Sequence, residues 1–153
     1  MNDIQPNADL GLSDFSLSEV LADAEVCAEI EKWSAPSFVK KGEILFRQGD
    51  TPGYAFFVKT GEIALTMSVS GDALWRVRAM KHSLIGLPAI VGNEPYSMTA
   101  KVASDSEICR ISRDDFNRLT QQNPRLCGNV LQILAGEVRE ARKALSDILV
   151  GVP

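Results

Sequence analysis

Residues 85–98 read IGLPAIVGNEPYSM: a short apolar run between two glycines, followed by a proline and a Tyr-Ser pair. Glycine-bounded turns that open a helix are a common way to cradle a phosphate, because their backbone N–H groups point outward together. Here the frame stands without an Arg or Lys inside it. The remaining chemistry-bearing side chains are sparse. His82 is the single histidine, so a histidine-rich metal centre or a Ser/His/Asp triad would rest on that residue alone. Cys27, Cys109 and Cys127 have no metal-ligand spacing and read as small buried hydrophobes. Asp114 and Asp115 suit a helix N-terminus better than catalysis. No catalytic residue and no metal site is expected.

The elements that would position the cradle follow from periodicity. Residues 1–14 lack a period and read as a loose lead-in. Ser16 with Glu19 forms a capping box, and Leu17, Val20, Leu21, Ala24 and Ala28 then share one face of a helix ending near Trp33 and closed by Pro36. Between Ser37 and Ile111 short segments are punctuated by Gly, Asp and Pro. Ile63, Leu65, Met67 and Val69 alternate with polar or small residues, the chain turns at Ser70-Gly71-Asp72, and Leu74 to Arg78 continues as a strand. Further strands are expected at Thr99–Ala103 and Glu107–Ile111. Such spacing predicts an antiparallel β-barrel or jelly roll.

The helical period then returns. Ser112 with Asp115 caps one helix through Leu119, and Asn123-Pro124 opens the last, over 124–150. Leu131, Leu134, Val138, Ala141, Leu145 and Ile148 step by three and four, a seam that suits both core packing and a two-helix coiled coil. The fold class is therefore mainly β within α+β: one helix, a barrel, then helices, with residues 15–153 as one domain.

Bulk composition narrows the function. A chain of 153 residues, 45% hydrophobic and 24% charged, can bury a core of its own. The net charge of −4 disfavours a basic face for nucleic acid. The first residues have neither a basic nor an apolar targeting region, and no apolar run spans a bilayer, so a cytoplasmic location without membrane contact is expected.

The run KKGEILFRQGDTPGYAFFVKTGEIAL, residues 40–65, resembles the opening of the cyclic-nucleotide-binding domain family, typified by the catabolite activator protein. Gly42, Gly49 with Asp50, and Gly61 stand where that family turns tightly between strands, and the likeness continues through DSEICRISRDDF, 105–116, into the final helix. It implies that 85–98 is the phosphate-binding cassette, of the form Gly-Glu-apolar-Ala-Leu, a loop, then Pro-Arg-Ser-Ala. Against that form Gly86, Ala89, Ile90, Pro95 and Ser97 fit, whereas Leu87 replaces the ribose-binding Glu and Tyr96 the phosphate-binding Arg. Pro88 also lacks an amide hydrogen. Ala141 and Arg142 hold the places of the family's base-contacting Thr-Ser pair, and His82 the place of a turn glycine. A neutral Tyr hydroxyl cannot replace a charge-assisted bond to a phosphate, although Lys101 and Arg78 offer cations by another route.

The resemblance thus implies a non-enzymatic regulatory module needing no cofactor. Its partners would be a second copy through the last helix, a small molecule, and a protein partner. The sharper reading of Gly86, Leu87, Pro88, Ala89, Ile90, Tyr96, Ser97 and Met98 is an apolar pocket with Ser97 and the Tyr96 hydroxyl as polar anchors; the plainer one is a loop that only keeps the barrel's shape. A cyclic-nucleotide receptor with altered contacts stays open as an alternative. A cupin-type metal enzyme does too, against the shortage of histidines. Introducing Glu at 87 and Arg at 96 is expected to move the protein toward nucleotide binding.

Overall fold

The computed structural model describes residues 14–16 and 24–150. A short strand β1 (Asp14–Ser16) precedes helix α1 (Ala24–Trp33). Ser16 is extended, and the rest of the expected capping box and helical face, Leu17, Glu19, Val20 and Leu21, lies outside the described residues. Within α1 the buried residues are Val26, Cys27 and Ile30, while Ala24 and Ala28 are exposed. The larger apolar side chains take the core because each removes more surface from water than an alanine does.

Strands β2 (Ser37–Val39), β3 (Ile44–Phe46), β4 (Tyr54–Val69), β5 (Asp72–Ala79), β6 (Leu84–Ile85) and β7 (Thr99–Ser112) follow, with a short helix α2 (Leu87–Gly92) between the last two. Helices α3 (Arg113–Gln122) and α4 (Pro124–Val150) complete the chain. The sheet is ordered β1-β5-β4-β7-β2, with β3 also pairing β7 and β6 also pairing β4. Pairing is antiparallel except for the parallel β1 on β5. The expected antiparallel, mainly β architecture with flanking helices is thus present; among the described residues its pairings form an open path, not a closed ring.

Two adjacent left-handed residues, Ser70 at φ 54° and Gly71 at φ 86°, make the tight β4–β5 turn and bring Val69 opposite Asp72. Residues 99–112, expected as two strands, form one: the intervening segment stays in the sheet through register shifts opposite Val58–Ile63. Gly61 sits in that irregularity at φ 100°, against Ser106, whose buried hydroxyl accepts from the Glu62 N–H at 3.1 Å and donates to the Ser104 carbonyl at 2.6 Å. A Cβ at 61 would collide with that serine, so only glycine fits both the dihedral and the space.

The predicted caps are present. Ser112 accepts from the Asp115 N–H at 3.2 Å, and Asn123 accepts from the Leu126 N–H at 3.1 Å with Pro124 as the first residue of α4.

Side-chain alternation along β4 divides the interior in two. Phe57 and Ala55 join Val26, Ile30, Leu84, Leu87, Ile90, Cys109, Ile111 and residues of α3 and α4 in a closed core beneath the helices. Phe56 and Val58 point the other way, into a second core with Phe46, Leu65, Trp75, Val77, Tyr96 and Met98. Cys27 and Cys109 are buried as expected; Cys127 is exposed, because it follows Leu126 on α4 and points away from the buried stripe of Leu126, Val130 and Ile133. Burial pushes the Cys109 thiol up to about 11, which leaves it an unreactive core residue.

Candidate functional site

A cavity of about 310 Å³ opens in the second core. β3 contributes Phe46, β4 Leu65 and Met67, β5 Trp75 and Val77, the cassette segment Ile85, Gly86, Pro88, Ala89, Tyr96, Ser97 and Met98, and α4 Leu134, Glu137 and Val138. Cross-strand pairing explains the sheet wall, since Leu65 lies opposite Val77 and Met67 opposite Trp75. Gly86 caps α2 in the left-handed region at φ 81°, and a Cβ there would stand 3.2 Å from the Tyr54 carbonyl oxygen. Asn93, also left-handed, ends the helix, and the Glu94 N–H donates back to the Ala89 carbonyl at 3.1 Å.

Tyr96 is the most restrained of the lining residues. Its backbone N–H donates to the Asp50 carbonyl at 3.0 Å and its carbonyl accepts from the Gly49 N–H at 2.8 Å. The hydroxyl donates to the Tyr54 carbonyl at 2.7 Å and accepts from the N–H groups of Gly53 at 3.1 Å and Tyr54 at 3.0 Å. One donor and two lone pairs are then all in use, so this hydroxyl has no capacity left for a ligand. The ring stacks on Phe46 with centroids 3.9 Å apart. In this position Tyr96 ties the strand entry at 53–54 to the cassette and presents an apolar ring to the cavity.

Of the residues expected to line a pocket, Gly86, Pro88, Ala89, Tyr96, Ser97 and Met98 do so. Leu87 and Ile90 do not; both are wholly buried in the closed core. A six-residue helix turns adjacent positions to different sides, so the place Leu87 holds in the family pattern does not put its side chain in this cavity. Arg78 is held by the Glu62 carboxylate through bonds of 3.0 and 3.1 Å, and neither it nor Lys101 reaches the lining. His82 occupies a turn at φ 72°, a glycine-like conformation, with its N–H on the Val58 carbonyl at 2.6 Å. Among the described residues no group of three or more His, Cys, Asp or Glu is placed to hold a metal.

Leu134 and Val138 of the predicted seam edge the cavity, and Leu131 is exposed. The side chains of Ala141, Leu145 and Ile148 lie outside the described residues. Sequence reasoning missed the sheet wall and Glu137. The wall was legible in principle as the shared alternation of Leu65-x-Met67 with Trp75-x-Val77. Glu137 was legible as an acid interrupting the apolar spacing between Leu134 and Val138. Among the described residues it is the one carboxyl in the lining, and burial pushes its pKa up to about 7.

This chain belongs to the cyclic nucleotide-binding domain family, which residues 36–123 match. It is 28% identical over 130 residues to the transcriptional activator protein Anr of Pseudomonas aeruginosa, covering 84% of this chain and 52% of that protein. The anaerobic regulatory protein of Bacillus subtilis is 24% identical over 132 residues, covering 84% of this chain and 55% of its own length. The chain thus spans about half the length of the curated relatives it matches. Among solved structures, the catabolite activator protein of Thermus thermophilus superposes with a TM-score of 0.70 at 23% identity, over 85% of this chain and 61% of that one. No described helix is long and apolar enough to cross a membrane.

Proposed function

We propose that this chain is a non-enzymatic, ligand-responsive regulatory module whose cavity takes an uncharged, largely apolar small molecule in place of a cyclic nucleotide. The observation that carries the reading is the charge of the lining: among the described residues no Lys, Arg or His faces the cavity, and a carboxyl does. A cyclic phosphate placed there would lose its hydration without a counter-charge, a cost of several kcal/mol, and would meet Glu137 in its ionised form as a like charge. The saturated Tyr96 hydroxyl offers no substitute donor.

The module works as a homodimer through α4, in the cytoplasm, and passes its signal to a protein partner. Leu131 and Val138, one heptad apart, are 63% and 51% exposed, which supports a helix face awaiting a second copy. Because Leu134, Glu137 and Val138 also edge the cavity, an occupant that prefers one placement of α4 shifts the dimer toward it. The names of the relatives, a transcriptional activator and an anaerobic regulatory protein, support a role in gene control.

Calorimetric titration with cyclic AMP and cyclic GMP tests this directly, with no binding at micromolar concentrations as the expected result. Binding of either at that level would favour the second reading, a nucleotide receptor with altered contacts, to which the family match lends support. Mass measurement in solution tests the dimer, which Leu131→Glu with Val138→Glu should convert to monomer.

A further inference from the structure

The cavity lining carries two polar functions that no described residue satisfies. Trp75 on β5 lines the cavity and is 8% exposed, and its buried indole N–H has no acceptor. Indole nitrogen can only donate, and a buried donor left unmade is destabilising unless something outside the chain completes it. Its wall neighbours Leu65, Met67 and Val77 have no oxygen or nitrogen in their side chains to offer. Glu137 reaches the same cavity from α4, and its carboxyl has no hydrogen-bond or ion-pair partner among the described residues. Ser97 is exposed at the rim, and the Tyr96 hydroxyl is fully engaged with the 53–54 backbone.

Resting on the non-nucleotide reading above, we infer that the cavity recognises a neutral apolar molecule bearing both a hydrogen-bond acceptor, which takes the Trp75 indole N–H, and a hydrogen-bond donor, which engages Glu137. An anion would find no counter-charge in the lining. A cation would satisfy Glu137 but leave the indole unpaired, and would have to shed its hydration in an otherwise apolar space. A neutral molecule with both functions completes each group without a charge being buried. Apolar walls supply most of the contact area, and the two polar groups set orientation and selectivity, as in most small-molecule sites.

Three probes of one apolar body separate these cases: cinnamamide, cinnamate and cinnamylamine. Binding is read at millimolar concentrations from the Trp75 indole N–H signal in a nitrogen–proton correlation spectrum, with the Trp33 indole as internal control. Cinnamamide should shift the Trp75 signal and bind at least about tenfold tighter than either charged analogue. Glu137→Met should weaken cinnamamide by roughly fivefold, the net effect of one hydrogen bond, and should not weaken cinnamate; Trp75→Phe, which lacks the reporting indole and is therefore followed by calorimetric titration, should weaken cinnamamide by a similar factor. Both variants keep an apolar side chain of similar bulk, so either one alone suffices should the other fail to fold. Equal binding of the three probes, a preference for either charged one, or no cinnamamide-dependent shift at Trp75 overturns the inference. The nucleotide titration is separate: if cyclic AMP binds, the underlying reading fails, whereas if cyclic AMP and cinnamamide both fail to bind, only the recognition pair is wrong.

Discussion

The two cores of this protein share β4, β7, α2 and α4 yet are finished differently. Beneath the helices, Phe57, Leu84, Leu87, Ile90, Ile111, Leu119, Leu126 and Ile133 are essentially without solvent contact and pack as one apolar cluster. On the other face of the same strands, Phe56, Trp75, Val77, Tyr96 and Met98 enclose about 310 Å³, with a carboxyl and an unpaired indole N–H in the wall. Dense packing without polar groups is what stability favours. A void with unsatisfied polar groups is costly to the folded chain by itself, and departures of that kind concentrate at functional sites. The contrast fits a stabilising role for one side of the sheet and, on the reading proposed above, recognition for the other.

Adjacent residues on α2 offer the strongest way to break that contrast. Leu87→Glu places a carboxylate in the closed core without a partner and should cost about 3–5 kcal/mol, read as a large loss of thermal stability. Pro88→Glu, one residue on and exposed at the cavity, should change stability little. Sequence comparison alone made Leu87→Glu with Tyr96→Arg a route to nucleotide binding. With Leu87 in the closed core, the double variant should unfold before it binds. A stable Leu87→Glu protein would show that the two sides are not distinct.

Next in size is the effect of pH on the cavity side. The Glu137 pKa is raised by burial from 4.5 to about 7, so the folded state holds this proton more tightly than the unfolded chain. Its contribution is fully present below about pH 4.5 and is lost as pH rises through about 7; at most it amounts to about 3 kcal/mol, reduced by whatever solvent still reaches the carboxyl. Among the described residues no Lys, Arg, His or second carboxyl lines the cavity to mask it, and the Tyr96 hydroxyl there is held by the 53–54 backbone. Denaturant melts of wild type and Glu137→Met across that range should converge at low pH, with the variant more stable above neutrality.

Tyr96→Phe should cost about 1–3 kcal/mol, because the N–H groups of Gly53 and Tyr54 and the Tyr54 carbonyl lose their shared partner while the stacking on Phe46 survives. Urea titration measures it. If the hydroxyl were instead a ligand anchor, stability would hardly change and probe binding would fall. The smallest effect is expected at His82→Gly, where relief of the left-handed conformation at φ 72° offsets the greater freedom glycine has when unfolded. The net change in melting temperature should be slight, with a gain or no change as the expected outcome.

Much of the fold could be read from residue order. The alternation Ile63-x-Leu65-x-Met67, the caps at Ser112 and Asn123-Pro124, and the turn glycines at 42, 49 and 61, observed at φ 96°, 92° and 100°, each express a local rule. The inward face of the helix at Ala24–Trp33 could not, because the apolar spacing ran through Ala24 and Ala28, and only packing reveals that Val26, Cys27 and Ile30 face inward. The joined strand β7 was hidden for a similar reason: a register shift opposite Val58–Ile63 is a property of two strands together.

For the site, residue order determined that the cassette frame of Gly86, Pro95 and Ser97 lacks the Arg and Glu of its family, since the identity of a side chain fixes its charge. Which side chains meet in the cavity was decided by tertiary structure alone. Trp75 and Glu137 are 62 positions apart, and their convergence depends on how β5 pairs with β4 and where α4 crosses the sheet. Leu87 and Pro88 are neighbours in the chain and end in different cores. Local patterns set the conformation of each element; the direction each face takes is set by long-range burial, which acts only once the elements pack together.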